Sequence, residues 1–163
     1  MEDLKEQLRI TGHIRVYIRP RSKLPRHLGR WELAYSGPNL VVTAGKVLVA
    51  KMLMDESGFD TGLTYIEVGT GTNAPALGDT DLQTGTARKA IISPPTRTSN
   101  AVEYRAFFPA ADISVDLKET GIFGHSTASA TLGTGELFAR VLVTFNNASD
   151  PHDATFVWTV TFG

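Results

Sequence analysis

The clearest pattern along this chain is strict alternation near its C-terminus. Leu137, Ala139, Val141, Val143 and Phe145 alternate with Phe138, Arg140, Leu142 and Thr144, and Phe156, Trp158, Val160 and Phe162 alternate with Val157, Thr159 and Thr161. A period of two puts each set on its own face of a pleated strand. Both stretches therefore read as half-buried strands, the last with its aromatic face inward and its threonine face outward. Shorter runs predict strands at 13–19, 30–35, 64–68, 88–93, 102–108 and 112–117, punctuated by Ser36-Gly37-Pro38, Pro94-Pro95 and Pro109. Residues 44–54 have helical spacing instead. Val47, Ala50 and Met54 make one apolar row, Leu48 and Met52 a second, Lys46 and Lys51 fall opposite, and Thr43 is the candidate N-cap. Short strands with one helix predict a mainly β fold: an antiparallel β-sandwich, jelly-roll-like or Ig-like, with one short α-helix and an extended N-terminal arm. The expected division is a basic arm carrying one strand at 1–30 and the sandwich at 31–163.

A chain of 163 residues with ordinary apolar and charged content is long enough to bury one core. It has no cysteine, which removes disulfides and thiolate chemistry. No apolar run is long enough to span a bilayer, and no signal-peptide h-region follows the charged first residues. The near-zero net charge conceals an asymmetry. Up to Met54 there are ten cationic and four acidic residues, and after it six and thirteen, so the two parts carry about +6 and −7. Arg15, Arg19, Arg21, Lys23, Arg26 and Arg30 concentrate the basic excess and are candidates for docking on an acidic partner surface, including a second copy. With only Tyr17 interleaved, the stretch does not suit nucleic acid.

Catalytic chemistry finds little support. GTGTNA at 69–74 lacks the third glycine and the following helix of a dinucleotide fingerprint. Asp79 and Asp81 fall well short of the oxygen ligands calcium needs and read as turn acids. His13, His27, His125 and His152 share no face, and nothing orients a base toward Ser126 or Ser129. No catalytic, cofactor or metal residue is assigned, and no small-molecule substrate or membrane partner is expected.

The remaining motifs form an ordered set: NLVVTAG at 39–45, a short helix, TYIEVGTG…AP…DTDL at 64–82, a strand led by Arg88, an aromatic strand ending Phe108-Pro109, ETGIFG at 119–124 and GELFAR at 135–140. This order resembles the N-terminal domain of phage tail-collar fibre proteins and related small phage virion proteins, over about residues 39–162. Two departures stand out. The glutamate that usually precedes the arginine-led strand is absent, and no fibre shaft or receptor-binding portion follows, which favours an adaptor over a receptor binder.

The resemblance implies a non-enzymatic structural protein of a tailed-bacteriophage virion, assembled in the host cytoplasm. It would be a tail, collar or neck fibre-attachment or adaptor subunit, forming a symmetric homo-oligomer and docking on other virion proteins. Capsid decoration, as a cement protein stapling capsomers, is the alternative. A carbohydrate-binding adhesin module is a third reading, although Trp31, Tyr35 and Tyr65 are not spaced as a platform. Thr70, Asn73 and Pro75 join the basic residues as partner-binding candidates. Gly69 and Gly71 are expected in a turn needing positive φ, and Phe123, Phe138 and Trp158 as core anchors. Glu119 is expected to pair with Arg88 or Arg140 across strands.

Overall fold

The structure, a computed structural model, describes residues 9–19 and 30–163. In chain order these form β1 (Ile10–Arg19), β2 (Glu32–Val41), α1 (Thr43–Leu53), β3 (Leu63–Gly69), β4 (Gly85–Ala90), β5 (Thr96–Thr98), β6 (Ala101–Phe108), β7 (Leu117–Gly124), β8 (Glu136–Phe145) and β9 (Asp153–Phe162). All pairings are antiparallel, in the order β4-β3-β7-β8-β2-β1-β9-β6-β5.

The sheet doubles back at β2. Residues up to Asn39 pair with β1, whereas Leu40 and Val41 pair with Arg140 and Ala139 of β8. One half is then β5-β6-β9-β1-β2 (the β9 sheet) and the other β2-β8-β7-β3-β4 (the β7 sheet). Ile14, Val16, Phe156 and Trp158 from the first share one buried cluster with Ile66, Val68, Ile122 and Val141 from the second. This is the mainly β antiparallel sandwich the alternation predicts. Where β4 ends, the halves meet again: the Ile92 amide donates to the Arg105 carbonyl at 2.7 Å.

In β9 the alternation holds. Phe156, Trp158 and Val160 are buried, while Thr155, Thr159 and Thr161 are half-buried on the other face. Trp158 lies between Ile14 of β1 and Tyr104 of β6. In β8 both faces are buried from Leu137 to Val141. A bulge leaves Phe138 unopposed, because Ile122 faces Ala139 while Phe123 faces Leu137. Phe138 thereby joins the main core, whereas Leu137 joins Phe123, Leu82 and Val42 in a smaller cluster.

Several expectations need correction. Ser36-Gly37-Pro38 is not a turn but part of β2, facing Arg15, Ile14 and His13. Among the described residues this part of β2 has a strand on one side only, an edge position that tolerates proline. The strand expected at 112–117 is replaced by a 3-10 turn over Ala110–Asp112, and the real strand, β7, begins at Leu117 and contains the ETGIFG motif. Val42, not Thr43, occupies the N-cap position and makes no side-chain cap. The Thr43 amide donates instead to the Leu77 carbonyl at 2.9 Å. Only Gly45 and Leu48 of α1 are buried, so of the two apolar rows Leu48 alone enters the core while Val47, Met52 and Met54 stay exposed. Gly45 is the point of contact: a Cβ there would lie 2.1 Å from the Phe138 carbonyl oxygen.

The strand expected within the N-terminal arm is an interior one. β1 is paired along its length with β9 and also with β2, and Ile14 and Val16 have no exposed surface. Residues 10–19 are thus woven into the sandwich, while 1–8 and 20–29 lie outside the described residues. At the end of this strand pair the Gly163 amide donates to the Arg9 carbonyl at 2.8 Å, and the Arg9 amide donates to the Gly163 carbonyl.

Two outcomes follow from this packing. Gly45→Ala forces α1 off β8 and is expected to cost about 1–3 kcal/mol, the usual overpacking range, read as a lower urea midpoint at unchanged slope. Deleting residues 1–30 removes an interior strand, and we expect loss of cooperative unfolding and of near-ultraviolet circular dichroism rather than a trimmed, folded core.

Candidate functional site

The motif residues meet on the outer face of the β7 sheet. Register places Arg88, Glu67, Gly121 and Arg140 in one row across β4, β3, β7 and β8. Glu119 lies two residues before Gly121 and so shares its face. Gly121 leaves room for Leu82 and Leu137: a Cβ there would come within 2.9 Å of both side chains. Leu82 thus pins the 70–84 loop over the sheet.

Glu119 is fully buried, and five donors converge on it. Its Oε1 accepts from the Gly71 amide (3.0 Å) and the Thr84 amide (2.6 Å). Its Oε2 accepts from the Gln83 amide (3.0 Å) and from Arg140 through Nε (2.9 Å) and the second terminal nitrogen (2.7 Å). The other Arg140 nitrogen reaches Asp79 Oδ2 at 2.7 Å, and the Asn73 carbonyl accepts from Arg140 at 3.0 Å. Gln83 Oε1 takes the Thr72 and Asn73 amides, each at 2.8 Å. One carboxylate and one guanidinium therefore satisfy much of the loop's backbone. Burial pulls the Asp79 carboxyl upward, but the Ala76 amide and Arg140 outweigh it and hold the group below its ordinary value.

Gly69 and Gly71 do not adopt the positive φ expected of them; among the described residues the glycines that do are Gly58, Gly62, Gly133 and Gly135. They are required for close approach instead. A Cβ on Gly71 would lie 2.3 Å from Glu119 Oε1, and one on Gly69 would lie 2.2 Å from the Thr84 carbonyl oxygen.

A second buried pair holds the neighbouring loop. Arg88 donates to Glu67 Oε2 at 2.7 Å and to the Thr134 carbonyl, and the Gly133 amide reaches the same Glu67 oxygen at 3.2 Å. The Arg88 guanidinium lies 4.2 Å from the Phe123 ring centroid. Burial pushes the Glu67 carboxyl up, and its contacts with Arg88 and Gly133 only partly offset this. Of the two cross-strand pairings expected for Glu119, the structure makes the one with Arg140; Arg88 is taken by Glu67. Phe138 and Trp158 anchor the main core as expected, but Phe123 anchors the smaller cluster beneath the loops.

The partner-binding candidates divide. Arg15 and Arg19 stand on the outer face of the β9 sheet, each already in an ion pair at 2.7 Å, with Glu103 and Asp153. Glu103 also binds Arg105, and Trp31 packs edge-on to Phe107 and over Arg19. Arg30 is exposed; Arg21, Lys23 and Arg26 lie outside the described residues. The Thr70 amide donates to the Thr84 carbonyl, Asn73 is exposed and Pro75 half-buried. The loop holding Thr70, Asn73 and Pro75 and the arginine face thus lie on different sheets and form no common site. A third surface is apolar: Val49, Met52 and Leu53 of α1 line a groove of about 410 Å³ with Leu63, Tyr104 and Phe162.

Sequence reasoning missed Glu67, Gln83 and Gly121. Glu67 carried a signal, since a carboxylate inside the apolar run TYIEVG needs a buried partner. Among the described residues there is no group of three His, Cys, Asp or Glu side chains placed to hold a metal, and no helix long and apolar enough to cross a membrane.

Arg140→Met strands the buried Glu119, and a loss of about 3–5 kcal/mol is expected by urea denaturation, with Glu119→Gln/Arg140→Met costing less than the sum of the single changes. Asp79 adds an acid dependence. Because its folded-state value lies below the ordinary 3.8, the unfolded chain binds the proton more tightly. Its contribution is present above that value and is lost as pH falls through it toward the folded value. Asp79→Asn should flatten this part of a stability-against-pH profile.

Comparison with family models, with curated proteins and with solved structures finds no match to this chain.

Proposed function

We propose that this chain is a non-catalytic structural subunit of a tailed-bacteriophage particle, working as a tail, collar or neck adaptor in several symmetric copies. One observation carries the reading. The short motifs of the resemblance are scattered over a hundred residues of sequence, yet their distinctive members meet in one packed unit. Gly69, Gly71, Asp79 and Leu82 from one motif, Glu119 and Gly121 from a second and Arg140 from a third contact one another or the same carboxylate. Residues that jointly build one local structure are a stronger basis for kinship than common residues that merely recur in order.

Two surfaces suit assembly. The 70–84 loop is fixed by internal hydrogen bonds, so presenting Asn73 and the exposed Leu77 costs little ordering entropy. The outer face of the other sheet carries Arg15, Arg19 and Arg105 beside Trp31 and Phe107, residue types favoured at the centres of interfaces. Two unlike surfaces on one subunit suit head-to-tail contacts, which form a ring when the rotation between copies closes.

The test is copy number per particle, by quantitative mass spectrometry against the major capsid protein. A ring-sized number, from three to a few dozen, is expected. Hundreds of copies would mean shell decoration instead, and absence from purified particles would overturn the virion reading.

A further inference from the structure

A cavity of about 470 Å³ opens where β3 and β4 meet β6 and the loop after β7. That volume lies within the range of small-molecule sites. Its wall is chemically consistent. Hydroxyl-bearing residues on it are Thr61, Tyr65, Ser93, Tyr104 and Ser126, His125 adds an imidazole, and none of the described lining residues is Asp, Glu, Lys or Arg.

Two features distinguish this wall from ordinary surface. His125 is held at φ 79°, in the left-handed region that a side chain other than glycine rarely adopts, and such strain concentrates at ligand clamps. Its ring is held tilted against Phe59, centroids 4.3 Å apart, and by Thr127, whose hydroxyl and amide lie 2.7 Å and 3.2 Å from Nδ1. Burial pushes the Tyr104 phenol above its ordinary value, so it stays a neutral hydroxyl at physiological pH.

We propose that this cavity binds a neutral saccharide of one or two hexose units. Hydroxyls both donate and accept, which suits a ligand with adjacent hydroxyls of its own. Tyr65 and Tyr104 supply aromatic surface for the apolar face of a sugar ring. A phosphate or carboxylate would enter without a counter-charge and pay for its desolvation, so charged ligands are disfavoured. The proposal is independent of the virion reading, since an adaptor may be ruled out while the cavity still binds, and the reverse.

The experiment takes the full chain to an array of neutral and acidic glycans. Hits are followed by titration of the ¹⁵N-labelled protein, with the free neutral monosaccharides and disaccharides run alongside. Saturable millimolar binding of neutral glycans is expected, with shifts at 61–65, 90–95, 104 and 125–128. Ser126→Ala, at an exposed lining hydroxyl, should weaken this binding several-fold while leaving the melting temperature unchanged, a combination that a purely structural hydroxyl would not give. Ala90→Phe, on the exposed cavity rim, should block it in a folded protein. The proposal is overturned by no binding, by binding of acidic glycans alone, by shifts confined to the Trp31 and Phe107 face, or by unchanged binding in both folded variants.

Discussion

A carboxylate cut off from water must receive from the protein what solvent would have given it. Glu119 receives it from one arginine and three backbone amides, all tied to the same loop. This demand organises the β7 sheet. It requires glycine at 71, because any side chain there would displace the oxygen that the amide must reach. It requires Arg140 on the neighbouring strand, and Arg140 in turn reaches Asp79 and the Asn73 carbonyl. Removing one member leaves the others buried and unmatched, so the set is far less tolerant of single changes than an apolar core of equal size. The Glu67 and Arg88 pair repeats the arrangement on the adjoining strands β3 and β4 and ties down the loop after β7.

This covering layer explains which parts of the fold were legible. β9 reads directly, because one face meets the core and the other does not. β7 does not. Both its faces are covered, it contains Gly121 and Gly124 and it carries a buried glutamate, so neither alternation nor strand propensity marks it. β2 was cut short because Ser36, Gly37 and Pro38 are turn residues by chemistry, and only its edge position accommodates them. For α1, spacing predicted that a helix forms, which is right, but could not say how much of it the core would cover. The close approach at Gly45 buries little beyond Leu48 and leaves Leu53 79% exposed.

The candidate site was legible in part. Arg88, Glu119 and Arg140 are legible as members of the ordered motifs. Their partners are not, since choosing between two arginines for one glutamate takes a register, and register comes from the whole sheet. The arginine-rich stretch misled differently. A run of cations read as an arm is, over residues 10–19, an ordinary strand whose outward positions hold Arg15 and Arg19 in pairs with Glu103 and Asp153, acids that lie far away in sequence.

The clasp between Arg9 and Gly163 has a mechanical consequence. These residues end two neighbouring antiparallel strands on the same side of the sheet. Tension drawing them apart would meet the β1–β9 ladder one rung at a time, as in opening a zip, instead of loading all rungs together in shear. A subunit built this way resists little force along its own chain. If it transmits load within a larger particle, the load must pass through its broad faces.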